Sequence, residues 1–189
     1  LAFLKRSPTA LLAAFIFGAI ETAVMSFLPL YGLRLGLDAG HASLLLTIAV
    51  LGNVAFQIPI GLVSDRIDRR VLLLVCSLVG TVGATVLPFM EVHGFAFLVT
   101  VFLATGVVGS LYTVGLAHLG ERFDGPNLAA ANAAFVMLYS VGLIVGPPLV
   151  GKGMDAYDPY GFAFVIAGML GFYAVVVGIR LAVRRRSDP

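Results

Sequence analysis

The chain has 189 residues, 60% of them apolar and only 12% charged, with a net charge of +2. Its mean hydropathy is +1.03, and a soluble domain of this length would carry roughly twice the charged fraction, so most apolar side chains must face something other than water. Basic residues gather at the ends of apolar runs and form no soluble patch, which excludes a nucleic-acid surface, and the single cysteine, Cys76, excludes a disulfide framework.

A helix needs about 20 residues to cross the hydrocarbon core, and six stretches suffice: 9–31, 41–63, 70–90, 95–118, 128–151 and 160–182. None alternates with period two, so the fold class is an all-α membrane protein with six transmembrane helices and not a membrane β-barrel. Residues 1–8 read as a cytoplasmic lead-in, the end of a central loop, residues 9–182 as the transmembrane domain and residues 183–189 as a basic cytoplasmic tail. Lys5 and Arg6 before an apolar run imitate a signal peptide, but the run continues to Leu30 without a convincing cleavage site. With the N-terminus inside, Lys5, Arg6, Arg66, Arg69, Arg70, Arg122, Arg180, Arg184, Arg185 and Arg186 are cytoplasmic, and only Arg34 and Lys152 lie outside. An even number of spans then puts both termini in the cytoplasm.

The first span carries Glu21 near its middle, in a stripe of small and polar residues: Ala14, Gly18, Glu21, Thr22 and Met25. Ile16, Ile20, Val24 and Phe27 fall on the other side, suited to lipid or to apolar packing. An ionisable group at this depth costs about 2.5–3.5 kcal/mol and usually faces a bundle interior or a cavity. Glu21 therefore either binds a proton or a substrate cation, or is a carboxyl held by an interhelical hydrogen bond. In the second span Asn53, Gln57, Gly61 and Asp65 recur every four residues, setting two amides on one face, and Pro59 interrupts the helix. Such amides either glue helices together or line a path for substrate.

Five charged side chains then fall within residues 65–70, in Gly61-Leu62-Val63-Ser64-Asp65-Arg66-Ile67-Asp68-Arg69-Arg70. The third span looks peripheral and nearly featureless. In the fourth, Gly106, Gly109, Ser110 and Gly115 surround Tyr112, whose hydroxyl either lines a cavity or packs. The fifth carries Asn132, Tyr139 and Ser140, then Gly142 and Gly146, a pair suited to close helix contact, followed by Pro147 and Gly151 at a kink. The sixth is apolar.

The loop spacing Gly-x-x-x-Asp-Arg-x-x-Arg-Arg resembles the cytoplasmic loop signature of the major facilitator superfamily of secondary transporters, with Asp68 standing where a second glycine is usual. The segment from Gly142 to Gly151 resembles the Gly-x-x-x-Gly-Pro-x-x-Gly pattern on the fifth helix of a transporter half in the same superfamily. Glu21-Thr22-Ala23, residues 29–36, residues 57–61, Leu111-Tyr112 and Asn132 through Pro147 are similar to helices seven, eight, ten and eleven of bacterial members, and the fourth span lacks the arginine often seen in N-terminal halves. The resemblance implies a C-terminal half, helices seven to twelve, built of two inverted three-helix units. It also implies transport of a small solute by alternating access, driven by an ion or proton gradient, in a bacterial inner (plasma) membrane.

On that resemblance Glu21, Asn53, Gln57, Tyr112, Asn132 and Tyr139 are the cavity-lining candidates. Gly61, Asp65, Arg66, Arg69, Arg70 and Glu121 would form a cytoplasmic latch, with Asp65 meeting a helix N-terminus of the opposite half and Arg69 meeting Glu121. The partners implied are a small solute, protons, the lipid bilayer, and a missing N-terminal half or a second copy of the chain. No cofactor is implied. Ser110 and His118 lie about 12 Å apart along one helix and form no protease dyad, and no His, Cys, Asp or Glu cluster has metal-ligand spacing, so an enzyme is disfavoured. The alternative is a structural or regulatory six-helix subunit without transport of its own.

Overall fold

The computed structural model describes the backbone of residues 7–185 and the side chains of residues 7–183. Lys5, Arg6, Arg186 and the side chains of Arg184 and Arg185, used above for orientation, lie outside this. The described chain is a bundle of six helices long and apolar enough to cross a membrane. They are α1 (Pro8–Arg34), α2 (Ala39–Ser64), α3 (Arg69–Val86), α4 (Phe95–Gly120), α5 (Gly125–Ala156) and α6 (Gly161–Arg185), with a 3₁₀ turn, Leu87–Phe89, after α3. Pro88 accounts for that break, because it has no N–H to continue the α-helical ladder.

Side-chain caps set two of the helix starts. Asp38 accepts hydrogen bonds from the backbone N–H groups of Gly40, at 2.8 Å, and His41, at 3.1 Å, and so begins α2. The His41 ring also bonds this carboxyl, and together these contacts hold it below the ordinary aspartate range. Asp68 does the same for α3, accepting from Arg70 N at 2.8 Å. Its backbone, at φ −57° and ψ 117°, is open to any residue, so the turn proceeds without the glycine of the family signature. Asp68→Ala is expected to cost about 1 kcal/mol, and Asp68→Gly only a few tenths; both are read as midpoints of thermal unfolding in detergent.

The pairing of helices follows a two-fold pattern. α1 packs most extensively on α5, α2 on α4, and α3 on α6. Exchanging the first three helices for the last three carries the α1–α5 pair onto α4–α2 and returns α3–α6 to itself, the relation expected of two inverted units. Both equivalent crossings are made by glycine. At α1–α5, a Cβ on Gly142 would run into Phe15 O, one on Gly146 into the backbone of Ala19, and one on Gly18 into Tyr139 O. At α2–α4, a Cβ on Gly52 would strike Phe102 O, and one on Gly106 would sit 2.7 Å from Gly52 O. Pro147 lies inside α5 beside the first of these crossings, while at Gly151 a Cβ would make only ordinary contact with the Phe27 ring, at 3.4 Å.

Burial is uneven. In α1, 56% of the most apolar stretch is buried, against 11% in α2 and 17% in α5. Ile16, Ile20 and Val24 of α1 are buried in the core, so this side packs on protein and not on lipid. α2 buries the stripe Ala42, Leu45, Ala49 and Gly52 and, at its last residue, Ser64, and leaves Leu51, Val54, Ile58 and Leu62 bare. At one end of the bundle Arg34 Nη1 and Asp158 Oδ1, 2.6 Å apart, tie α1 to the α5–α6 connection.

Candidate functional site

Four helices bring polar groups to one cleft. Phe17 and Glu21 come from α1, Asn53 and Gln57 from α2, Gly109, Tyr112 and Thr113 from α4, and Tyr139 from α5. The cleft holds about 200 Å³ and opens on one side of the bundle. It exists because the two glycine crossings draw α1 to α5 and α2 to α4 while leaving space between the pairs.

Tyr139 donates a hydrogen bond to Glu21 Oε2 at 2.5 Å, joining α5 to α1. The tyrosine is placed by rings. Phe17 stacks on it at 6.0 Å, Tyr112 meets it edge-on at 5.3 Å, and Phe135 meets Tyr112 at 5.2 Å. Its two-torsion side chain is thereby fixed, and the hydroxyl points to one carboxylate oxygen. Glu21 is half-buried and borders both this cleft and a smaller apolar void of about 60 Å³ that continues into the bundle. On the facing helix, Gln57 Nε2 donates to Asn53 Oδ1 at 3.0 Å. Gly109 makes room for that amide, since a Cβ there would sit 2.5 Å from Asn53 Oδ1.

The cleft therefore presents a carboxyl, two phenols, a threonine hydroxyl and two amides, a set that can bind a proton and orient a small polar or cationic solute. Asn132 is not part of it. It shares a face of α5 with Tyr139 but lies seven residues away, about 10 Å along the axis, and is half-buried outside the lining. Phe17 and Thr113 were not singled out from the sequence. Phe17 was within reach, one turn before Glu21 on the same helix. Among the described residues, no group of three His, Cys, Asp or Glu side chains could hold a metal ion.

A second polar cluster occupies the end of the bundle that carries the basic residues. Arg69 is its hub. Its Nη1 donates to Ala117 O at 2.5 Å and lies 3.3 Å from Glu121 Oε1, while its Nη2 is 3.2 Å from Asp65 Oδ1. The guanidinium thus bridges the end of α2, the start of α3 and the end of α4. Arg70 Nε faces His118 Nε2 at 3.5 Å, so the buried His118 belongs to this cluster although spacing suggested it only as a failed dyad. Arg66 is exposed and stands off it. Gly61 points into open space: a Cβ there would meet nothing within 4 Å.

Comparison with known proteins accords with this architecture. The Major Facilitator Superfamily pattern matches residues 10–189. The uncharacterized MFS-type transporter YfkF of Bacillus subtilis (strain 168) is 32% identical over 174 residues, which cover 89% of this chain and 44% of that protein. An uncharacterized MFS-type transporter of Yersinia enterocolitica is 26% identical over 163 residues, covering 86% of this chain and 41% of that one. The chain thus spans less than half the length of these relatives. Six membrane-crossing helices paired as two inverted units, and a family pattern that covers nearly the whole sequence, make this chain an integral membrane protein that belongs to the major facilitator superfamily.

Proposed function

We propose that the chain is the C-terminal six-helix half of a secondary transporter, which moves a small solute by alternating access under an ion or proton gradient. The observation that carries this reading is the cleft itself. A carboxyl–phenol pair from α1 and α5 and an amide pair from α2 line one open cleft. α2 and α5, the two least buried spans, both contribute to that lining, and a second six-helix half, or a second copy of this chain, would cover them. The basic end is assigned to the cytoplasm of a bacterial plasma membrane.

The test is flux. The natural polypeptide, reconstituted in vesicles, is screened with a panel of small cations, zwitterions and sugars under an imposed pH gradient. Saturable accumulation that collapses with the gradient is the expected result. Passive, non-saturating leakage would point to a channel, and the absence of flux for every solute would leave a structural subunit.

The cluster around Arg69 supplies a latch. Asp65 is largely exposed and pairs with Arg69 within this half, a contact worth at most about 1 kcal/mol. Its larger role is toward the opposite half, where a helix N-terminus would favour its charge. Asp65→Asn is expected to leave the unfolding midpoint nearly unchanged and to slow transport several-fold by shifting the balance of inward- and outward-open states. Wild-type transport kinetics in this variant would count against the latch.

A further inference from the structure

Adjoining the Arg69 cluster, a cleft of about 480 Å³ opens between the start of α1, the start of α3 and the ends of α4 and α6. Arg70, Arg122 and Arg180 line it, and the adjoining cleft, which shares Arg70, His118 and Arg122, also holds Asp68 and Glu121. Ser7 also lines the first cleft. This serine sits at the N-cap of α1, where its hydroxyl would ordinarily accept from the helix backbone, yet it makes no such bond. The residue is 1% exposed and its Oγ has no hydrogen-bond partner. A buried hydroxyl left unmatched costs about 1–3 kcal/mol, so its position asks for a ligand atom.

We propose that this cleft binds a phosphate group. Three independent features converge on an anion: three guanidinium groups, the unmatched Ser7 hydroxyl, and the N-terminus of the 27-residue α1, whose dipole favours negative charge. His118 also lines the cleft. Its Nε2 faces Arg70, which leaves the proton of the neutral ring on Nδ1. Nδ1 lies 3.6 Å from Glu121 Oε2, so its proton faces that carboxylate and not the anion. Ile179, 58% exposed on α6, borders the opening and gives an acyl chain an apolar surface below the arginines. A phosphate in this place therefore suits the headgroup of an anionic phospholipid of the basic, inner leaflet side, and a free phosphate shares the same polar chemistry.

The natural polypeptide is titrated in detergent with dioleoylphosphatidylglycerol, with dioleoylphosphatidylcholine and with inorganic phosphate, and bound ligand is counted by native mass spectrometry. Arg180→Gln is expected to weaken binding about fivefold, as loss of one basic residue at a lipid surface does. Arg180→Lys should restore most of it, and Ser7→Val should weaken it without changing charge. Unfolding midpoints, compared across the variants, separate lost binding from lost structure. Retention of phosphatidylglycerol over phosphatidylcholine, undisturbed by millimolar phosphate, assigns the lipid headgroup. Saturable phosphate binding that is lost in Arg180→Gln, without a phospholipid preference, assigns the free anion. Equal binding of every probe by wild type and Arg180→Gln overturns the site.

Discussion

Glu21→Gln is expected to keep the six-helix fold and to abolish the dependence of solute flux on a pH gradient. Glutamine has the volume of glutamate, and its carbonyl oxygen can accept the same hydrogen bond that Tyr139 now donates to Glu21 Oε2 at 2.5 Å. The aromatic group that fixes Tyr139, Phe17 and Tyr112, is untouched. What disappears is the capacity to gain and lose a proton at the border of the cleft. Tyr139→Phe makes the complementary change, keeping the carboxyl and removing its donor. Hydrogen bonds to charged groups contribute about 1.5–3 kcal/mol, so Tyr139→Phe should lower the unfolding midpoint and the rate while the flux still responds to the gradient. The measurement is initial rate in vesicles, with and without a protonophore, for wild type and both variants. A Glu21→Gln protein whose flux still falls with the protonophore would make the carboxyl a packing group.

Gly146→Leu is expected to prevent assembly of the bundle. At this position α5 rests on α1 backbone to backbone, and a Cβ would overlap the carbonyl of Ala19. Overpacking a core with side-chain atoms typically costs about 1–3 kcal/mol and occasionally more. Here the obstructing atoms are main chain in the most enclosed helix and cannot swing aside, so the cost falls at or above the top of that range. The same displacement would separate Tyr139 from Glu21, two turns along the crossing. Gly178→Leu is the control, since a Cβ there meets nothing within 4 Å. The expected readout is a collapse of the monodisperse fraction on size exclusion for Gly146→Leu and a wild-type profile for the control. A folded, stable Gly146→Leu protein would show that the two helices can part without loss.

The helices were legible because each apolar run is long and interrupted by charge. Their ends were less so. α5 runs from Gly125 to Ala156, beyond the apolar stretch 128–151, because its last turns carry Lys152 and Asp155, which hydropathy assigns to water although the backbone remains helical. Polar groups in apolar runs marked Glu21, Asn53, Gln57, Tyr112 and Tyr139, since each carries a desolvation cost that ordinary packing does not explain. Which of them would meet was not legible. The Glu21–Tyr139 bond depends on where α1 and α5 cross, and helical periodicity places Asn132 on the same face as Tyr139 without saying that the cleft ends before it. Ser7 gave no sequence signal at all, because a serine before a helix reads as an ordinary cap.

Glu21 and Tyr139 are 118 residues apart. At synthesis rates of about 5–20 residues per second, roughly 6–24 s separate the making of Glu21 from the making of its hydrogen-bond donor. During that interval the carboxyl of α1 has no phenol and its Gly18 groove has no α5. The apolar remainder of the helix can hold it across the membrane, since a central acidic residue costs about 2.5–3.5 kcal/mol and each leucine, isoleucine or phenylalanine returns about 0.3–0.6. The nascent chain is therefore inserted early but completed late, and one that stalls before α5 displays an unmatched carboxyl and an empty glycine groove within the lipid.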